Sequence, residues 1–220
     1  MPDLDPDLRV SVVGDRAVCG AWRAALTVEV QTRLLALGRR LREGGRYEDV
    51  VPGWGNLTVV IDPRRDELVR VQAQLLQAWH EVSDVALPPP RERVLRVRYG
   101  GEHGPDLAEC AARAGLSETA FIDRHSAAVY TVAFLGFQPG FAYLMGLPEP
   151  LHQPRRAEPR VRVPAGSVAI GGAQAGVYPS ASPGGWQLIG RTDQGLFDPH
   201  AADPAQACWL QPGDRVRFRP

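Results

Sequence analysis

Between Phe134 and Thr192 the chain gathers two side-chain types suited to small anionic ligands, guanidinium groups and flat rings. From Ala127 to Thr192 the bases are Arg155, Arg156, Arg160, Arg162 and Arg191, and the only acids are Glu149 and Glu158. That local positive excess favours an anionic ligand or partner surface. Arg160 or Arg191 can clamp a carboxylate or phosphate through the guanidinium fork, the alternative for each being a structural ion pair. Phe137, Phe141, Tyr143, Tyr178 and Trp186 offer apolar faces to line a cleft or receive a partner side chain, with core packing as the alternative. Gln174 can donate to and accept from an amide group. Pro154-Arg155-Arg156 is expected to face solvent or a partner rather than a buried substrate.

Proton-transfer chemistry is sparse. His125, just ahead of the strand pattern AVYTVAF, is the best candidate, because its ordinary pKa suits the task and an element terminus lets a side chain project into a pocket. Capping its own helix is the plainer role. His80, His103, His152 and His200 show no ligand spacing, so no metal site is expected. No serine lies in a GxSxG elbow. All 25 basic residues are arginine, which removes Schiff-base chemistry, a lysine base and the lysine of a phosphate-binding P-loop. Gly171-Gly172 and Gly184-Gly185 can aim backbone N–H groups at an oxyanion or simply make tight turns.

These residues need a scaffold, and the chain reads as two parts. Leu8–Val13 and the RAVCG segment read as a hairpin turned at Gly14-Asp15, and Val28 to Arg42 has helical spacing that ends at Gly44-Gly45. Tyr47–Val51 and Leu57–Ile61 read as strands, and Asp62-Pro63 as the start of a second helix running to about Val82. The ββαββα order predicts an α+β layer, two helices on one face of a small antiparallel sheet. The proline-rich Ala86–Arg93 marks the boundary, giving domains 1–86 and 87–220. Beyond it come a strand in VLRVRY, helices in DLAECAARAGL and SETAFIDRH, and a strand in AVYTVAFLGF. After Gly136, short strands at Val161–Val163, Ser167–Ile170, Trp186–Gly190, Ala207–Leu210 and Arg215–Phe218 separated by glycine and proline predict a mainly β barrel or sandwich.

Charge balances over the 220 residues, 25 basic against 25 acidic, so neither nucleic acid nor an anionic membrane is expected as a partner. Cys19, Cys110 and Cys208 are few, odd in number and far apart, which argues for a reducing compartment. With no signal-like start and no long apolar segment, a cytoplasmic location is expected.

GFQPGFAYLMGLP, PRRAEPRVRVPAGSVAIGGAQAGVYP, SPGGWQLIGRT and LQPGDRVRF resemble the 5-oxoprolinase B-subunit family, also called the KipI or allophanate hydrolase subunit 1 type. The resemblance is dense from about His125 to Phe218. It implies an N-terminal α/β domain and a C-terminal cyclophilin-like β-barrel. It further implies a hydrolase subunit of a bacterial ATP-dependent 5-oxoprolinase that opens 5-oxoproline to glutamate, within a hetero-oligomer that also holds a C-type subunit and an A-type subunit of the LamB/YcsF kind. No cofactor is then bound tightly by this chain, and ATP and Mg²⁺ belong to the assembled complex. Kip-type members are described as inhibitors of a sporulation histidine kinase, so a kinase-binding regulator stays open as the alternative. An independent prolyl isomerase rests on fold analogy alone. Family members often carry threonine where this chain has Ala175, which removes one polar contact.

Overall fold

The computed structural model describes residues 5–82 and 89–220. The chain divides into two compact units, residues 1–89 and 90–220. Part of the boundary segment expected at Ala86–Arg93, residues 86–88, lies outside the described residues.

The first unit has the expected ββαββα order: β1 (Leu8–Val13), β2 (Ala17–Trp22), α1 (Val28–Glu43), β3 (Asp49–Gly53), β4 (Asn56–Val60) and α2 (Leu68–Glu81). Its sheet runs β1-β2-β4-β3, all antiparallel. Thr27 starts α1 by accepting from the Val30 N–H at 3.3 Å. The apolar stripe of α1, Leu34 and Leu37, meets Val50, Leu57 and Val59 of the sheet, while Val71, Leu75 and Trp79 of α2 complete the core. Buried Gln31 pins the β3–β4 turn, donating to the Gly53 carbonyl and accepting from the Gly55 N–H, both at 3.0 Å. The second helix begins six residues later than Asp62, at Leu68. The Asp62 carboxylate accepts from the Arg64 N–H at 3.0 Å and closes a turn of its own instead.

The second unit contains β5 (Glu92–Arg96), β6 (Arg98–Tyr99), α3 (Leu107–Arg113), α4 (Glu118–Ala127), β7 (Tyr130–Leu135), β8 (Ala142–Met145), β9 (Arg160–Val163), β10 (Ser167–Gly171), β11 (Gln174–Val177), β12 (Ser182–Gly184), β13 (Gln187–Arg191) and β14 (Arg215–Arg219). Eight of these strands form one sheet, ordered β5-β14-β7-β8-β11-β10-β13-β6. Its two end strands, β5 and β6, are consecutive in the chain, separated only by Val97, whose N–H reaches the Arg219 carbonyl at 2.7 Å. The sheet must therefore curl until its ends nearly meet, and the unit is mainly β with a nearly closed, barrel-like sheet. VLRVRY, expected as one strand, is split for this reason.

Alternation along the strands builds two apolar layers. Val168 and Ile170 of β10 face the interior with Leu95, Tyr130, Leu144 and Phe218. Ala169, between them, faces the other side of the sheet, where Phe141, Val163, Tyr178, Trp186 and Leu188 cluster. A two-stranded ribbon, β9 paired with β12, belongs to that side. Strands β8, β11 and β12 fall where the sequence read as loop. Ala207–Leu210 is not a strand; a single Phe197–Cys208 bridge is its one β pairing among the described residues.

Candidate functional site

The Gly136-to-Phe141 segment turns tightly: the Gly136 N–H donates to the Phe141 carbonyl at 3.1 Å and the Phe141 N–H to Gln138 at 3.0 Å. The turn holds Phe137 at φ 67°, the one non-glycine residue with positive φ among those described, and leaves its ring 61% exposed. Such a backbone costs of order 1–3 kcal/mol and persists only where its surroundings impose it. The Phe137 ring meets Phe141 edge-on at 5.4 Å and Tyr178 at 6.2 Å. Phe141 in turn touches Tyr178 at 5.1 Å and Trp186 at 5.6 Å, and Tyr143 lies 5.7 Å from Trp186. The geometry is edge-to-face throughout, the arrangement that ring quadrupoles favour.

Glycine makes this assembly possible. A Cβ on Gly171 would sit 2.6 Å from the Trp186 ring, and one on Gly184 would collide with the Tyr178 hydroxyl. The rings lie directly on backbone and enclose a hollow of about 210 Å³ that Arg155 and Arg156 border.

The arginines divide by role. Buried Asp106, just before α3, accepts from Arg160 at 2.7 Å, from Arg156 at 3.3 Å and from the Leu188 N–H at 2.6 Å. Arg160 is thus a structural anchor, although its Nη1 is buried without an acceptor. The Arg156 N–H donates to Gly185 at 2.7 Å and the Gln187 amide to Pro154 at 2.9 Å, so the 154–156 segment is strapped over the ring cluster. Arg155 forms no ion pair among the described residues, and its guanidinium lies 5.7 Å from the Trp186 ring centre. A cation held over a ring at the mouth of an apolar hollow can take a carboxylate without first losing another partner. Burial pushes the Tyr178 phenol pKa up, against the Trp186 backbone N–H, which lowers it. The phenol stays neutral and can donate.

The five rings expected to line a cleft, Phe137, Phe141, Tyr143, Tyr178 and Trp186, therefore converge. Arg155 and Arg156, expected to face solvent or a partner, belong to the rim. Arg191 lies elsewhere, lining a second concavity, with its Nε donating to the Ala165 carbonyl at 3.0 Å. Gln174 pairs with Gly171 at the end of β11, outside the lining of the hollow. Ala175 is fully buried facing the barrel interior, so a threonine hydroxyl there would not reach the hollow.

His125 does not project into a pocket. It is fully buried between rings, 4.7 Å from Phe218 and 5.3 Å from Tyr130, with Nδ1 2.8 Å from the Tyr99 hydroxyl. Burial pushes its pKa down to about 3, which holds the imidazole neutral. The sequence could not separate these cases, since a helix-terminal histidine looks the same whichever way it turns. Asp106 was missed because an acid ahead of a helix reads as an ordinary cap.

Among the described residues no three His, Cys, Asp or Glu side chains converge as a metal site, and no helix is long and apolar enough to cross a membrane. The three cysteines are free thiols.

Residues 8–207 match the family model described as carboxyltransferase domain, subdomain C and D. Among curated proteins, the chain is 48% identical to the 5-oxoprolinase B subunit of Escherichia coli O157:H7, over 96% of this chain and 95% of the relative. It is 45% identical to the 5-oxoprolinase B subunit of Haemophilus influenzae, over 96% and 97%. Among solved structures, TTHA0988 superposes with a TM-score of 0.78 at 38% identity, covering 93% of this chain but 39% of that one. The urea amidolyase of K. lactis gives 0.79 at 19% identity over 100% of this chain and 15% of its own, a likeness of fold alone. Near-complete coverage of relatives that share one name, together with the carboxyltransferase match across both units, places the chain in the 5-oxoprolinase B-subunit family.

Proposed function

We propose that this chain is the B-type member of an ATP-dependent 5-oxoprolinase that opens 5-oxoproline to glutamate, working only beside A-type and C-type subunits. The observation that carries the reading is the aromatic hollow with Arg155 unpaired at its rim, found in a member of this family. 5-Oxoproline is a small ring with one carboxylate and one amide. At about 210 Å³ the hollow is smaller than the roughly 300–1,000 Å³ of drug-sized sites, in keeping with such a ligand. The ring rests on Trp186 and Phe141, Arg155 takes the carboxylate, and the neutral Tyr178 hydroxyl donates to the amide oxygen. The strap through Arg156 keeps water from one side.

ATP with Mg²⁺ supplies activation of the amide oxygen in such a reaction, but the residues of this chain do not fit that pair. The sequence has no lysine and the described residues no cluster of carboxylates. Nucleotide and metal are assigned to the partner subunits. The curled sheet is read as the cyclophilin-like barrel of the family, and the free thiols are in keeping with a cytoplasmic location.

The test is co-purification with candidate A-type and C-type subunits and measurement of 5-oxoproline-dependent ATP hydrolysis. The mixture should turn over and the chain alone should not. Turnover by this chain alone, or by a mixture lacking it, refutes the assignment. Inhibition of a histidine kinase by a chain that supports no turnover would move it to the regulatory class.

A further inference from the structure

Arg191 belongs to a concavity separate from the aromatic hollow and larger, about 600 Å³. One wall is the β5–β6 stretch at Val94, Arg96 and Arg98; the other is the segment leaving β13, from Arg191 to Gln194. It exists because the sheet fails to close. β6 pairs with β13 only at Arg98–Arg191 and Tyr99–Gly190, and among the described residues β5 pairs with β14 alone.

The open side of β5 carries unmatched backbone groups. The Arg215 N–H donates to the Arg91 carbonyl at 2.9 Å and the Val97 N–H to Arg219 at 2.7 Å, so the odd-numbered positions of this stretch face β14. Backbone groups alternate sides along a strand, and Val94 and Arg96 therefore present their N–H and C=O to the concavity. A free sheet edge is a template for another strand.

Charge selects what that strand should carry. Arg96 and Arg219 pair with no acid among the described residues, and Arg191 is held in place by the Ala165 carbonyl. Arg215, Arg217 and Arg219 are exposed along the neighbouring β14. The acids against them are few. Asp193 meets Arg98 at 2.6 Å, and Glu92 approaches Arg215 at 3.8 Å and Arg217 at 3.7 Å. A free anion would satisfy the guanidinium groups but leave the strand edge unpaired, whereas an extended peptide with acidic side chains satisfies both.

We infer that this seam receives an extended acidic segment of a partner polypeptide, added as a further strand beside β5. Its backbone pairs with Val94 and Arg96, and its carboxylates meet Arg96 and Arg191. The inference concerns a different face from the aromatic hollow and stands whether or not the chain serves a 5-oxoprolinase.

The experiment is fluorescence anisotropy with the full chain and a labelled peptide of about eight residues alternating Glu and Val, a typical strand length. Saturable binding that weakens with salt is expected. Val94→Pro removes an N–H that points away from β14, so the existing ladder survives while affinity should fall ~10-fold, the worth of about one hydrogen bond. Arg96→Glu with Arg191→Glu should weaken binding at least as much. Should Val94→Pro unfold, the same peptide N-methylated on alternate amides must lose binding to the unsubstituted chain. No saturable binding overturns the inference. So does affinity indifferent to both Val94→Pro and N-methylation, or equal capture of polyphosphate or duplex DNA, either of which would mean attraction by charge alone.

Discussion

Removing the Asp106 carboxylate should destabilise the hollow without altering any residue that lines it. The group is 4% exposed and accepts from Arg160, Arg156 and the Leu188 N–H. In Asp106→Ala the Leu188 N–H loses its acceptor inside the sheet and two guanidinium groups lose their counter-charge. Breaking a buried pair from one side costs about 3–5 kcal/mol. The Arg156 and Arg160 side chains keep 33% and 23% exposure, so water recovers part of this and the lower end, ~3 kcal/mol, is expected. Asp106→Asn retains a carbonyl for Leu188 and should cost about half as much. Urea unfolding of the three proteins, with midpoints compared at constant slope, reads the difference. At roughly 2–4 °C per kcal/mol for a chain of this size, the alanine variant should also melt ~10 °C lower. An alanine variant within ~1 kcal/mol of the parent would refute the view that Asp106 clamps the strap.

Trp186→Ala should lose ~3–5 kcal/mol of stability and abolish ligand-dependent turnover in the reconstituted assembly, read by melting and ATPase assay. Arg155→Glu should leave the melting curve within ~0.5 kcal/mol of the parent while raising the KM for 5-oxoproline, because the guanidinium has no carboxylate partner among the described residues to abandon and only a distant ring contact. Gly171→Ala forces a Cβ into the Trp186 ring and should cost ~1–3 kcal/mol with a changed tryptophan emission, checked by denaturation and fluorescence. For His125 the fold keeps the ring neutral down to about pH 3, whereas the unfolded chain takes up a proton below about 6.5. Stability should therefore fall as pH drops from about 6.5 toward 3 and stay level above it, and His125→Phe should flatten that limb while leaving turnover of the assembly unchanged.

What the sequence disclosed followed from periodicity. The helices at Val28–Glu43 and Glu118–Ala127 and the strands at Leu8–Val13 and Arg215–Arg219 carry their 3.6- or 2-residue patterns in the open. Strands β11 and β12 did not, because Gly176 and Gly184 are small where rings pack against backbone, and smallness reads as loop; β8, only four residues between glycine turns, is too short to show a period. The ring cluster was legible as composition, since aromatics among glycines have few places to go but onto exposed backbone. The sorting of arginines was not. Whether a guanidinium meets an acid depends on Asp106, 50 positions before Arg156 and 54 before Arg160, and no local pattern announces so distant a partner. Likewise no local pattern separates Arg191, at the end of β13, from Arg155, in the irregular segment ahead of β9.

The parallel pairing of β14 with β5, with β7 on its other flank, has a consequence for synthesis. Residues 215–219 leave the ribosome after every other strand of the sheet, yet they sit between two of them, β5 and β7. Until they emerge, β5 has no partner strand and β7 has a bare edge, and the two can find each other wrongly or find a neighbouring nascent chain. Folding of this unit is thus gated by β14, and a stalled or clipped chain that lacks residues 215–219 should aggregate rather than persist as a slightly smaller version of itself.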